Sequence, residues 1–237
     1  MVELTARPVF SERLPAAASR RSLPRLLTGA RPHGLAPSEL VKLHHTLLDV
    51  LPSRHGIVVQ LVAPEPDAAI TGVAYDLAYI SASWLSRRVL YVDGTGMRME
   101  RDAINARLPS SADFDPANLE GSLTRVVGLE LYQMSFPSMS GALDLSPVLR
   151  RIPEFMERLR LTFDLVVIAA PPASEAPMGV LLSPYVDGNV LVLKSGTTRA
   201  PVAAELRDSL RASGGTVAGA VLTHYRSFAP RWLRRWL

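Results

Sequence analysis

Residues 56–78 come nearest, in residue type and spacing, to a site that could do chemistry. An apolar run, Ile57–Val62, leads into a short loop, and the loop opens an amphipathic helical pattern. A strand, loop and helix in this order can bind phosphate through glycine amides, a lysine and a Ser/Thr hydroxyl. The apolar face of the predicted helix consists of Val73, Leu77, Ile80 and Trp84. The chemistry to look for is therefore nucleotide binding.

The loop lacks most of the groups that phosphate binding needs. No glycine occurs between Gly56 and Gly72, so the loop offers no cradle of bare amides. Ile70 stands at the lysine position, and Asp67 places a negative charge where phosphate would lie. Only Thr71 remains of the expected side chains. The sequence predicts the frame of a nucleotide-binding protein without its phosphate-binding groups.

Strands and helices must alternate around this loop to position it. Helices are predicted from Ser38 as cap to residue 51, and over 71–85, 101–108, 146–161, 176–183 and 199–213. Strands are predicted over 57–62, 89–92, 129–133, 165–169, 189–194 and 217–222. Short strands that are apolar on both faces and alternate with helices predict an α/β fold, a doubly wound, mostly parallel sheet flanked by helices.

Charge separates the two ends of the chain from its body. Residues 1–36 carry a net charge of +4 and residues 226–237 another +4, which leaves −4 between them. We expect a flexible basic tail over 1–36, a folded domain over 37–225, and a basic amphipathic C-terminal segment over 226–237. A nucleic-acid-binding domain would carry its positive charge on the folded body, so we expect no nucleic-acid partner.

Metal and thiol chemistry find no support in the sequence. The chain has no cysteine, and its five histidines do not show the spacing of metal ligands. No apolar run approaches the ~20 residues that span a bilayer, and the first residues lack the apolar stretch of a signal peptide. We therefore expect a cytoplasmic protein without a metal site.

The C-terminal segment is the strongest signal for a partner. On a helix that begins at Pro230, the apolar side chains Trp232, Leu233, Trp236 and Leu237 share one side, and the opposite side carries Arg231, Arg234 and Arg235. This pattern suits an interfacial anchor on anionic lipid, which would place the protein at the periphery of a membrane. It equally suits a groove on the cytoplasmic tail of a membrane protein. A third possibility is a terminal helix packed on its own domain.

Four blocks of sequence, in order and at consistent spacing, resemble one family. They are RVLYVD at 88–93, FDLVVIAAPP at 163–172, DG with the strand and SGTTR over 187–199, and the late strand over 214–223. Together they resemble the cytoplasmic ATPase domain of bacterial tyrosine kinases (BY-kinases), which are MinD/ParA-like P-loop proteins. The resemblance covers residues 37–225 and implies a P-loop NTPase-like fold of the MinD/ParA type.

The departures from the family pattern imply a pseudokinase. The Walker B aspartate that holds Mg²⁺ in the family matches Ala169, and the asparagine that contacts adenine matches Thr223. The C-terminal tyrosine cluster that the family phosphorylates is absent, with only Tyr225 nearby. We expect no catalytic residue and no cofactor. The alternative is an atypical kinase or ATPase that binds ATP and Mg²⁺ through Thr71 and Asp93.

The resemblance also implies partners. The family forms rings through a Glu-x-x-Arg-x-x-Arg helix motif, and Glu39, Lys42 and His45 have that spacing here. Lys and His lack the planar guanidinium with which Arg binds a carboxylate through two hydrogen bonds. These residues therefore have two interpretations, a solvated helix face or the contact surface of a homo-oligomer. The first functional hypothesis is a non-catalytic adaptor in exopolysaccharide assembly and export, bound to a membrane chain-length regulator (polysaccharide co-polymerase) or glycosyltransferase. A MinD-like membrane scaffold is a further hypothesis.

Overall fold

Among the residues that the structure describes, seven strands form one sheet in the order β3-β4-β2-β5-β1-β6-β7. The structure is a computed structural model that describes residues 35–51, 55–67, 69–95, 123–135 and 146–224. For residues 146–149 it describes the backbone only. The strands are β1 (Ile57–Val62), β2 (Val89–Asp93), β3 (Thr124–Arg125), β4 (Leu131–Ser135), β5 (Leu165–Ala169), β6 (Gly188–Lys194) and β7 (Val217–Thr223). All adjacent pairs are parallel except β3 with β4. The predicted α/β class and mostly parallel sheet are confirmed.

The described helices cover both faces of this sheet. They are α1 (Pro37–Val50), α2 (Ala69–Ser83), α3 (Ser146–Thr162), α4 (Met178–Leu182) and α5 (Ala200–Ala212). One apolar cluster joins α1 and α2 to one face, where Leu40 and Leu77 meet Val59 of β1. On the opposite face α3 packs through Phe155 and α5 through Leu206. All six residues of β1 are buried, as expected for a central parallel strand covered on both faces.

Close contact with the end of α3 fixes the start of β1. The Gly56 N–H donates to the Arg160 carbonyl at 2.9 Å. A Cβ at Gly56 would lie 1.7 Å from the Phe163 carbonyl oxygen, so only glycine allows this approach. Arg160 also donates through Nε to Asp187 at 3.1 Å, and that carboxylate accepts the Val58 N–H at 2.7 Å. These bonds hold β1 in place at the end opposite its loop.

Three sequence predictions are corrected. Ser38 does not cap α1, because the helix begins at Pro37 with Ala36 at the N-cap, and proline suits the first helical position. Trp84 does not join the buried face of α2, since the helix ends at Ser83 and the indole is 59% exposed. The antiparallel strand β3 was not predicted. Three predicted segments lie outside the described residues: the helix over 101–108, the basic tail up to residue 34 and the C-terminal segment. The described residues all belong to one compact unit, Arg31–Leu237.

Candidate functional site

The carboxyl ends of β1, β2, β5 and β7 bring the predicted site residues to one edge of the sheet. Ligands of open α/β sheets bind at this edge. The register pairs Ala169, the last residue of β5, with Asp93 on one side and Leu61 on the other. Thr223 ends β7. The loop between β1 and α2 leaves the same edge, so the strand–loop–helix predicted from the sequence is present.

Asp67 occupies the start of α2, where an anion would bind. Its Oδ1 accepts the Ala69 N–H at 2.9 Å, and its main-chain carbonyl accepts the Ile70 N–H at 3.2 Å. Amides at a helix N-terminus bind phosphate because they are otherwise unsatisfied and carry partial positive charge. Here a carboxylate of the chain itself takes one of these amides. A phosphate would have to displace Asp67 and would meet its negative charge.

The hydroxyl of Thr223 lies on the other oxygen of this carboxylate. Thr223 Oγ1 is 3.4 Å from Asp67 Oδ2 and 3.3 Å from the Leu193 carbonyl. Both distances are long for a bond from a hydroxyl, for which about 2.7–2.8 Å is usual. The position that the resemblance matches to the adenine-contacting asparagine is therefore fully buried beside Asp67. It does not offer an amide to a base.

Apolar packing fills the positions at which lysine and aspartate would act. Ile70 is 2% exposed and Ala169 is 0% exposed, and both belong to the apolar cluster that holds α2 on the sheet. A lysine must reach a phosphate and a Walker B aspartate must reach hydrated Mg²⁺. Ile70 and Ala169 can do neither, because both side chains are apolar and buried.

The residual polar groups are placed as follows. Thr71 lies in the first turn of α2 and is half-buried. Asp93 is half-buried, and its Oδ1 accepts both the Thr95 N–H at 3.0 Å and the Thr95 hydroxyl at 2.6 Å. This is a local turn that closes on itself, which satisfies one carboxylate oxygen without a ligand.

The loop after β5 ties down the loop after β1. The Ala173 N–H donates to the Ala63 carbonyl at 2.9 Å, and the Ser174 N–H donates to the Pro64 carbonyl at 3.1 Å. Both carbonyl groups of the loop after β1 are therefore hydrogen-bonded to the loop after β5. The loop conformation is thus stabilised by the chain itself.

Glu39, Lys42 and His45 lie together on the exposed face of α1. Glu39 has a local role, because its carboxylate accepts the Ala36 N–H at 2.6 Å and so stabilises the start of the helix. The neighbouring His44 is buried, and its Nδ1 lies 2.8 Å from Ser81 Oγ of α2. Burial, and after it the nearby His45 and Arg87, lower the pKa of His44 to about 4. His44 is therefore a neutral core residue that joins α1 to α2.

A buried polar cluster in the sheet was missed by the sequence analysis. Gln60 Nε2 donates to the Gly179 carbonyl at 2.6 Å and to Asn189 Oδ1 at 3.1 Å, and Asn189 Nδ2 donates to the Thr216 carbonyl at 3.0 Å. Gln60 and Asn189 are fully buried. The signal was a glutamine within an apolar strand. The cluster joins β1, β6 and α4, and it lies apart from the Asp67 loop.

Solved structures with this architecture are numerous, although no protein-family model and no curated protein matches the sequence. The kinase domain of Escherichia coli tyrosine kinase ETK has a TM-score of 0.70 at 17% identity, over 92% of this chain and 87% of that one. The BceF tyrosine kinase domain has a TM-score of 0.61 at 22% identity, over 78% of this chain and 74% of that one. The chain has the fold of a BY-kinase domain.

The BY-kinase fold is shared with MinD ATPases. The MinD protein of Pyrococcus horikoshii, solved with Mg-ADP, has a TM-score of 0.52 at 16% identity over 70% of both chains. The expected MinD/ParA-type fold is thus confirmed. Within the part of the chain that the structure describes, no helix has both the length and the apolar character to cross a membrane. The terminal residues Arg231, Trp232, Arg234, Arg235 and Trp236 lie outside the described residues, so their predicted contacts stay predictions.

Proposed function

We propose that the protein is a non-catalytic adaptor with a BY-kinase fold that supports bacterial exopolysaccharide assembly or export. One observation carries the non-catalytic part: the Asp67 carboxylate takes the Ala69 amide at the start of α2. Ile70 and Ala169, buried in the core beside it, add to the same argument. Removing one preorganised electrostatic group costs about 10²–10³ in rate. With the lysine, the amide cradle and the Walker B aspartate all missing, phosphoryl transfer is not supported.

The role in exopolysaccharide assembly depends on the resemblance to the family. The adaptor would bind the cytoplasmic end of a membrane chain-length regulator, or a glycosyltransferase, and would lie in the cytoplasm at the inner membrane. Its contact surfaces would be the C-terminal segment with Trp232 and Trp236, and the exposed face of α1 with Glu39, Lys42 and His45, through which copies of the chain could also associate.

Isothermal titration with ATP, with and without Mg²⁺, tests the non-catalytic part. We expect no heat of binding at millimolar ATP, because the loop offers a triphosphate neither a lysine nor glycine amides. A melting curve in the same buffers gives an independent readout, since a ligand at 100 times its Kd would stabilise the fold by about 2.7 kcal/mol. Micromolar binding that Thr71→Ala abolishes would replace the adaptor with the alternative below.

That alternative is an atypical ATP-binding kinase or ATPase. Two observations favour it: the half-buried Thr71 in the first turn of α2 and Asp93 at the end of β2 keep the magnesium-side positions of the family pattern. The Pyrococcus MinD structure of the same fold holds Mg-ADP. A partner subunit would then have to supply the missing cation.

Binding to a partner and to lipid can be separated. Biolayer interferometry would measure affinity for the cytoplasmic tail of a membrane chain-length regulator, and vesicle co-sedimentation would measure affinity for anionic lipid. For the adaptor we expect the tail to bind and Trp232→Ala/Trp236→Ala to weaken it at least tenfold. Vesicle binding that the same double variant abolishes, without tail binding, would indicate the MinD-like membrane scaffold instead.

A further inference from the structure

A groove runs between α1 and β7, and its walls combine apolar side chains with Glu39, Lys42 and Thr46 of α1. Its volume is about 890 Å³, and its walls include Leu43 and Leu47 of α1 and Val221 of β7. Its floor is open at Gly219, where a Cβ would meet nothing within 4 Å. Gly219 has ordinary backbone geometry, since it is not among the glycines with positive φ. The groove thus has room for large side chains.

Strand β7 leaves further surface uncovered beside this groove. It is an edge strand of the described sheet, and its outer side pairs with no strand of the described residues. Leu222 is 52% exposed. An apolar edge strand of seven residues is a surface that proteins normally cover, because its free N–H and C=O groups can pair with another chain.

The chain turns as it leaves β7. His224, directly after the strand, has φ +55°, a left-handed conformation that non-glycine residues adopt mainly in turns. Residues 225–237 follow directly after this turn. The five residues 225–229 can span up to about 17 Å at ~3.3 Å each, and Gly219 lies roughly 13 Å from the end of β7. Trp232 and the apolar residues after it can therefore reach the groove.

We propose that residues 230–237 dock in cis in the groove between α1 and β7, with Trp232 and Trp236 as the side chains that fill it. The apolar side of this segment would pack on Leu43, Leu47 and Val221 and on the open floor at Gly219. Docking in this groove competes with binding of the same tryptophans to lipid or to a partner.

Engineered disulfides test the docking directly, because the chain has no cysteine of its own. The test pair is Leu43→Cys/Leu233→Cys, with one position in the groove and one in the segment. The control pair is Ala212→Cys/Leu233→Cys, since Ala212 is exposed at the end of α5, on the opposite face of the sheet. We expect the test pair in dilute protein to form an intramolecular disulfide at least tenfold faster than the control pair.

Filling the groove gives a second readout. In a Trp84→Phe background only Trp232 and Trp236 emit, so we expect their emission to be blue-shifted and protected from iodide. Adding Gly219→Leu should shift the emission to the red and raise iodide quenching several-fold, whereas Ala212→Leu should leave both unchanged. Unchanged melting of Gly219→Leu shows that the fold is intact.

Three results would overturn the proposal. Equal crosslinking rates in the two pairs would place the segment elsewhere. A disulfide formed only between molecules would make a second copy the occupant. Faster crosslinking of Leu43→Cys to Leu26→Cys would make residues 1–34 the occupant. None of these outcomes depends on ATP or on the exopolysaccharide partner, so this proposal and the proposed function fail independently.

Discussion

Removal of the Asp67 carboxylate tests whether it acts as the anion that this helix start requires. Asp67→Ala deletes the acceptor of the Ala69 N–H, and loss of such a cap costs about 1 kcal/mol. Loss of the negative charge at the positive end of α2 adds about 0.3–1 kcal/mol. We expect a total loss of about 1.5 kcal/mol. For a domain of this size that lowers Tm by about 3–6 °C.

Two further variants separate the contributions. Asp67→Asn keeps an acceptor and loses only the charge, so we expect a loss of about 0.3–1 kcal/mol. Asp208→Ala removes an exposed aspartate that pairs with the adjacent Arg207, and we expect no measurable change in stability. Urea denaturation measures all three. If Asp67→Ala proves as stable as the wild type, or more stable, the carboxylate does not stabilise α2, and the argument for a self-occupied anion site is refuted.

Three more predictions concern the core that positions this loop. Because the folded-state pKa of His44 lies at about 4, below its ordinary 6.5, the unfolded chain binds more protons between these values. The free energy of unfolding should therefore fall by about 2 kcal/mol from pH 7 to pH 4, a figure reduced to allow for partial hydration of the ring. In His44→Gln the urea midpoint should change less over this pH range. Asn189→Ala removes one of the two hydrogen-bond acceptors of Gln60 Nε2 and leaves buried polar groups without partners, so it should cost about 2–3 kcal/mol by urea denaturation. A loss below about 0.5 kcal/mol would mean that these hydrogen bonds do not stabilise the fold. Gly56→Ala forces a Cβ against the Phe163 carbonyl and should lower Tm by at least about 4 °C, whereas unchanged melting would show that the start of β1 can shift.

The strands were predictable because each is a short apolar run between turn signals. The predicted strand 165–169 and the strand Leu165–Ala169 coincide, and β1 likewise agrees. β3 could not be found, since two polar residues form it only by pairing with β4. Trp84 was assigned to the wrong environment because helical periodicity continues in the sequence beyond Ser83, where the helix itself ends.

The sequence predicted where the loop between β1 and α2 lies, but not how its groups are hydrogen-bonded. The sequence indicated Asp67 as a charge that repels phosphate. The structure adds that this charge satisfies the helix start, and an aspartate directly before a run of helix formers was a signal that could have shown it. The burial of Ile70 and the local turn at Asp93 depend on tertiary packing and on the neighbouring Thr95. A single sequence does not determine either.

The substitutions at the Asp67 loop stabilise the fold without a ligand. A lysine at position 70 and an aspartate at position 169 would place charges at the edge of the core, where each is favourable only with a phosphate or a metal ion beside it. Ile70 instead contributes about 1.5–3 kcal/mol through burial, and Ala169 leaves no charge to compensate. Asp67 replaces the phosphate oxygen at the helix start. If the proposed function is correct, a fold stabilised in this way would keep its surfaces ordered without nucleotide, as an adaptor requires.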